Sequence, residues 1–418
     1  MILPAKKSFS LFVLALLVTL VSSQSLAQPG SDEEKAAVPD NQRLWQLIQK
    51  QQRTIESLQT ELRQLKNRLD TTVRHVSQQE DELQQVAEAV EEGTPVATQT
   101  SLGGYGELHY NNTDSGNKVD FHRFVLFLSH DFTEKTRFYS ELEVEHSISG
   151  DGAPGEVELE QAFIEHRIND RLTGKAGLML MPVGILNETH EPDTFFGVER
   201  NPVEKNILPT TWWEAGLALS YQVTDRLSTD FMLSSGLNVP TTGSKAFLIR
   251  SGRQGVAKAT ANDGAMTARV RFQPVNGLRL SATAHYQQDI TQGQLGVNAL
   301  LLEADAQYRK GPFGLKALVA RWDLDDKVNL LAPGREQQSG YYVEPSWRFG
   351  ERQNVGVFAR YAEWDNAAGD DHADSDMSQM SLGINYWLHP QVVFKFDYQD
   401  QSGAADDDGF NLGVGYSF

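Results

Sequence analysis

The chain has 418 residues, with 56 Asp and Glu against 37 Lys and Arg, a formal net charge of −19 and no cysteine. An acidic chain lacks the basic footprint of a nucleic-acid binder, and the absence of cysteine excludes disulfide scaffolds, thiolate zinc sites and cysteine nucleophiles. Beyond the first 30 residues no apolar run reaches the length of about 18 that a membrane helix needs. That excludes a helical membrane protein but not a membrane β-barrel, whose strands alternate apolar and polar residues.

The N-terminus has the form of an export signal. Lys6 and Lys7 precede an apolar stretch from Phe9 to Val21, and Ser25-Leu26-Ala27 offers small residues where a signal peptidase reads. The expected organisation is a signal peptide over 1–27 and a polar linker over 28–41. A coiled coil follows over 42–92, then a second linker over 93–100. In the coiled coil, Ile48, Ile55, Leu62, Leu69, Val76, Leu83 and Val90 recur every seven residues. The d row is mixed, with Gln51, Thr72 and Gln79 among Leu44, Leu58, Leu65 and Val86, so the heptads alone do not choose between dimer and trimer. A helix of this length would be roughly 70 Å long, and its apolar seam implies oligomerisation.

After Thr100 the period changes to two, and residues 101–418 read as an all-β transmembrane barrel of about sixteen antiparallel strands. In the clearest segment Phe138, Ser140, Leu142 and Val144 share one face, and Arg137, Tyr139, Glu141, Glu143 and Glu145 share the other. Strand starts fall near Leu102, Phe121, Arg137, Val157, Lys175, Trp213, Leu227, Met266, Leu278, Leu295, Phe313, Tyr341, Val355, Met380, Val392 and Phe410. Short turns, such as Thr133-Glu134-Lys135 and Asn169-Asp170-Arg171, alternate with mostly longer connections, notably 183–211, 236–263, 324–339 and 365–377. Aromatic residues near strand ends, among them Tyr105, Phe132, Trp213, Tyr221, Tyr286, Trp347, Trp364 and Phe418, fit an interfacial girdle. The last strand alternates Phe410, Leu412, Val414, Tyr416 and Phe418, and a terminal Phe resembles the signal that bacterial barrel-assembly machinery recognises.

Two stretches carry a family resemblance. Tyr139-Ser140-Glu141-Leu142-Glu143-Val144-Glu145-His146 with Glu158-Leu159-Glu160-Gln161-Ala162-Phe163 is the first. Met181-Pro182-Val183-Gly184-Ile185-Leu186-Asn187-Glu188-Thr189-His190-Glu191-Pro192, followed by Phe196-Gly197-Val198-Glu199-Arg200 and Pro209-Thr210-Thr211-Trp212-Trp213-Glu214, is the second. Both resemble Gram-negative outer-membrane porins of the phosphate-selective O and P type, and the likeness concentrates in 103–220. It implies a trimeric sixteen-stranded porin whose third extracellular loop folds into the lumen. It also implies contact with outer-membrane lipid and lipopolysaccharide, and the coiled coil could reach peptidoglycan or a periplasmic partner.

The expected function is a water-filled channel for passive diffusion of ions and small hydrophilic solutes, including anions such as phosphate. By strand parity the pore-lining candidates are Arg137, Glu141, Glu143, Glu145, Lys175, Arg269, Arg271, Arg279, Lys316, Arg348 and Arg360. The constriction-loop candidates are Glu188, His190, Glu191, Asp193, Glu199, Arg200, Glu204 and Lys205. Charge leaves the sign of selectivity open, with a mild cation preference or weak selectivity as the expectation. The barrel region holds 43 Asp and Glu against 27 Lys and Arg, which favours cations, whereas Arg269, Arg271 and Arg279 would draw anions. The acidic loops, Asp365 with Asp370, Asp371, Asp374 and Asp376, and Asp406 to Asp408, match no calcium-loop spacing, so no metal site and no cofactor is expected. His109, His122, His130, His146, His166, His190, His285, His372 and His389 look scattered, and no catalytic motif appears. The competing readings are a structural tether that uses the coiled coil and, more remotely, an outer-membrane barrel enzyme.

Overall fold

The computed structural model describes residues 99–418 apart from Asp151 and residues 371–373, together with Trp45 and Gln52. The expected signal peptide, the linker over 28–41 and, save Trp45 and Gln52, the coiled coil over 42–92 lie outside the described residues.

The strands are β1 (Thr100–Thr113), β2 (Gly116–Asp131), β3 (Thr136–Glu145), β4 (Val157–Arg167), β5 (Leu172–Leu180), β6 (Trp213–Thr224), β7 (Leu227–Ser234) and β8 (Ala265–Phe272). They continue with β9 (Leu278–Gln287), β10 (Ala299–Lys310), β11 (Phe313–Leu324), β12 (Gln337–Phe349), β13 (Val355–Asp365), β14 (Asp376–His389), β15 (Val392–Gly403) and β16 (Gly409–Ser417). Each pairs antiparallel with its sequence neighbours, and β1 pairs with β16 to close a barrel. At the closure Tyr105 lies opposite Ser417, and Gly104 and Phe418 exchange main-chain hydrogen bonds of 3.0 and 2.9 Å. Closure leaves no unpaired edge, the condition for a sheet to stand in hydrocarbon.

The turns follow from local chemistry. In the β4–β5 turn the Asn169 Oδ1 accepts from the amides of Arg171 and Leu172, both at 3.0 Å. In the β2–β3 turn the Thr133 hydroxyl accepts from Lys135 and Thr136. A short polar side chain thereby substitutes for a backbone acceptor and fixes the reversal. Among the described residues, seven tight connections gather at one end of the barrel. The other end carries 181–212, 235–264 and five shorter loops, but its first connection is only Asp114-Ser115.

Burial is inverted relative to a soluble protein. Leu142 is 41% exposed while its neighbours Glu141 and Glu143 are 1% and 2% exposed. The same holds for exposed Leu382, Ile384, Phe394, Phe396 and Leu412 against buried Asn385, Lys395, Asp397 and Asn411. Apolar rows that face outward and charged rows that face inward are the arrangement expected of a lipid-embedded barrel with a polar interior.

Several details depart from the sequence expectation, and β2, β12 and β14 begin at Gly116, Gln337 and Asp376, ahead of the expected Phe121, Tyr341 and Met380. β10 begins at Ala299, not near Leu295, because the Asp289 carboxylate gathers the amides of Thr291, Gly293, Gly296 and Val297 and folds 288–298 into a loop. Tyr105 and Trp364 are buried in the interior instead of joining a girdle; Trp213 stays on the outward row with Leu217, Leu219 and Tyr221 but is covered by 250–257, and Phe132, Tyr221, Trp347 and Phe418 are exposed as a girdle requires. The long-loop half of the interior also holds an apolar core, unexpected in a wide aqueous lumen. Val183, Ile185, Ile207, Leu208 and Trp212 of one loop and Leu237, Val239, Phe247 and Ile249 of the next pack there against Leu301, Leu318, Trp322 and Tyr342 of the wall.

Candidate functional site: a loop across the barrel interior

The segment 181–212 between β5 and β6 is folded inward and tied to the wall nearly all the way round. Its base is closed by Asn187, whose Nδ2 donates to the carbonyls of Met181 and Trp212 and whose Oδ1 accepts from the Trp212 amide, all within 2.8 Å. A short helix α1 (Pro202–Asn206) follows, with Asn201 accepting from the Val203 amide and Pro202 at a first-turn position where no amide is missed. Glu204 on this helix accepts from the amides of Ile185 and Leu186 and from the Tyr342 hydroxyl at 2.7 Å, so it joins both arms of the loop to β12. Gly184 beside it adopts φ +70°, and a Cβ there would lie 2.8 Å from the Glu204 carboxylate. On the opposite side the loop lies against β16, where a Cβ on Gly415 would come within 2.4 Å of Pro192. Only glycine admits that approach.

The expected constriction residues divide among these ties. Glu188 pairs with Arg269 of β8. His190 is 3.4 Å from both Glu141 and Glu160, and its carbonyl accepts from Arg123. Burial pushes the His190 imidazole toward neutrality, but the two carboxylates outweigh it and hold the ring protonated well above the usual range. Glu191 lines a 250 Å³ cavity with Glu141, Lys175, Glu188, His190 and Arg269. The Asp193 carboxylate accepts from the Ser417 hydroxyl and its carbonyl from the Trp387 indole. Glu199 accepts from Asn111 at 2.9 Å and stands 3.1 Å from the His109 ring. Arg200 donates to Thr211, and Lys205 lines a long-loop cavity of 370 Å³.

All eleven wall candidates lie on inward-facing rows, but they are not one ring. Arg269 and Arg271 converge on Asp230 at 2.9 and 3.0 Å. Arg360 pairs with Glu344 at 2.6 Å and donates to the Phe196 carbonyl at 2.7 Å. Glu141 accepts from Gln161 and, with buried Glu143, stands near His190; Glu145 is half-buried where β3 ends. Lys175 pairs with Glu165 over the Phe163 ring. Arg137 sits exposed at the tight-turn rim, paired with Asp131. Arg279, Lys316 and Arg348 gather instead in a 720 Å³ vestibule on the tight-turn side, with Arg226 and Arg309. There Arg279 is held by Gln307 and Arg348 by the Trp387 ring, 3.8 Å away, so neutral partners position both cations.

The loop separates two aqueous cavities. Thr194 and Phe196 line the vestibule, and Glu199 and Arg200 line the long-loop cavity together with Arg360. Phe196 is the centre of the partition, 7% exposed and packed on Phe358 and Trp387 at 5.4 and 5.7 Å. Sequence reasoning missed Glu107 and Arg123, a buried pair at 2.6 Å, as well as Glu344, Arg309 and Asp397. Alternation pointed to most of them, but a bulge, where Glu107 faces Arg123 and His109 faces Asp120, breaks the parity of β2. The histidines are not all scattered either, because His109, His122 and His146 meet near the end of β3.

The profile of the Gram-negative porin family matches residues 217–406. An uncharacterized protein of Aquifex aeolicus strain VF5 is 30% identical over 351 residues, spanning 76% of this chain and 80% of that protein. Among solved structures, Salmonella typhi OmpF in complex with daunomycin aligns with a TM-score of 0.54 at 13% identity, covering 76% of this chain and 97% of that one. The high-pH structure of Pseudomonas putida OprB gives 0.52 at 13% identity, with 79% and 96% covered. The trimer form of in-vitro folded Vibrio cholerae OmpT gives 0.52 at 10% identity, with 76% and 99% covered. At such identities these structures share the fold.

Proposed function

The chain belongs to the Gram-negative porins, and from that premise we propose that it is an outer-membrane channel for passive diffusion whose vestibule favours small anions. The carrying observation is the loop 181–212, which crosses a polar barrel interior and leaves an aqueous cavity on each side. A passage narrowed by a charged, wall-anchored loop discriminates by size and charge without a moving part.

The anion preference rests on the vestibule. Arg226, Arg279, Arg309, Lys316 and Arg348 line it with one carboxylate, Asp225. Elsewhere the interior cations are largely neutralised by close acids, as Arg123 is by Glu107 and Arg360 by Glu344. Guanidinium groups free of such partners offer planar donors to oxyanions, phosphate among them. The net acidity of the barrel region acts at longer range and is screened by salt over about 10 Å. The trimer form of the Vibrio relative supports a homotrimer. The segment 42–92 would strengthen that assembly in the periplasm as a coiled coil, and 1–27 would direct export.

Reversal potentials across a planar bilayer in a KCl gradient test the reading. The wild type is expected to prefer chloride. Replacing Arg279, Lys316 and Arg348 together by glutamate should move the reversal potential toward the cation-selective sign, with the protein still inserted. An unchanged reversal potential in this variant rules the vestibule out as the selectivity determinant.

A further inference from the structure

We propose that Asp120, His122 and His146 form a binding site for a divalent transition-metal ion, of the zinc or copper class, on the inner wall near the long-loop end of the barrel. The residues come from two strands brought together by local irregularity. Between the pairs Glu107–Arg123 and His109–Asp120 the β2 strand carries an extra residue. The resulting bulge lets the His122 ring stack on His109, with centroids 4.8 Å apart and planes at 15°. His146 follows β3 at φ 52°, and its amide donates to the His122 carbonyl at 3.2 Å. That conformation directs the His146 ring back over the same strand, 5.8 Å from His122 and edge-on to it.

The donor atoms converge. Asp120 Oδ2 is 3.3 Å from His122 Nδ1 and 2.8 Å from His146 Nδ1, and all three ligand atoms lie within 4.8 Å of one another. Ligands at zinc–nitrogen and zinc–oxygen lengths in a tetrahedron stand about 3.3 Å apart, so these separations need only small rotations to close on an ion. The three side chains are 27%, 30% and 34% exposed, so an ion in the lumen reaches them and water can fill a fourth position. Two imidazoles with one carboxylate suit zinc, copper, nickel or iron(II); calcium and magnesium favour oxygen ligands throughout. His109 is not a ligand, because its ring nitrogens stand 3.1 Å from Glu107 and from Glu199. It acts as a positioning residue that backs the His122 ring and carries the cluster's link to the inward loop. The other convergent set, Glu141, Glu160 and His190, is fully buried beneath that loop and is occupied in anchoring it.

Titration of the chelator-treated, full-length protein in detergent with ZnCl2, read by calorimetry and by metal content after dialysis, tests the site. One zinc per chain is expected in the wild type, with affinity weakened roughly tenfold or more in His122→Ala and in His146→Ala, and retained in His372→Ala. Copper(II) bound to the wild type should show two coordinated nitrogens by electron paramagnetic resonance, a reading that does not depend on any variant folding. Equal zinc binding in the folded His122→Ala and His146→Ala variants, or a copper spectrum without nitrogen ligands, overturns the proposal.

Discussion

Substituting Arg123 by alanine is expected to destabilise the barrel by about 3–5 kcal/mol, the cost of stripping the guanidinium from a buried carboxylate that keeps only the His109 ring, 3.1 Å away. The Arg123 guanidinium holds Glu107 at 2.6 Å on the adjacent strand, lies over the Tyr105 ring at 5.3 Å and reaches the His190 carbonyl at 3.4 Å. Both partners are about 2% exposed, so solvent cannot take over the lost interactions. Replacing the pair together, Arg123→Met with Glu107→Gln, removes the orphaned charge and should recover much of the loss. Denaturant unfolding of the detergent-solubilised protein measures both. A loss below about 1 kcal/mol in the single variant, the range of an exposed pair, would show that water reaches Glu107.

The second large effect concerns conduction. Phe196 fills the partition between the vestibule and the long-loop cavity, and its carbonyl is clamped by Arg360. Truncation to alanine removes the ring packed against Phe358 and Trp387 while the clamp and the Glu204 anchor keep the loop in place. The 720 Å³ vestibule that Phe196 lines should then open toward the 370 Å³ cavity that Arg360 lines. Unitary conductance should rise severalfold, and larger sugars should enter reconstituted liposomes in swelling assays. Conductance equal to the wild type would mean that solutes pass elsewhere, for example beside Lys175 and Glu191 in the smaller cavity.

The two variants act on different consequences of one arrangement. Charged rows that would be solvated on a soluble protein are here turned inward, where loop 181–212 competes with water for them. Arg360 and Arg123 serve both the wall and the loop, each pairing with a carboxylate on a neighbouring strand and donating to a loop carbonyl. Rigidity of the constriction therefore derives from the same ion pairs that hold adjacent strands.

Local alternation, together with the spacing of the short turns, was enough to identify a barrel of about sixteen strands. A strand residue cannot change faces without a bulge, so the order Phe138, Ser140, Leu142, Val144 against Arg137, Glu141, Glu143 specified which row meets lipid. Turn chemistry at Thr133 and Asn169 specified where strands reverse. Length and charge singled out the loop after β5. The partners of its charges depended on the tertiary structure. Which of Glu188, His190, Glu199 and Glu204 meets Arg269, Glu141, His109 or Tyr342 is decided by the path of a loop across a closed barrel, over sequence separations such as the 138 residues between Glu204 and Tyr342. The apolar core beneath the long loops and the meeting of His122 with His146 likewise required the bulge in β2 and the inward fold of two loops. Those are properties of how segments pack, and no periodicity along the chain encodes them.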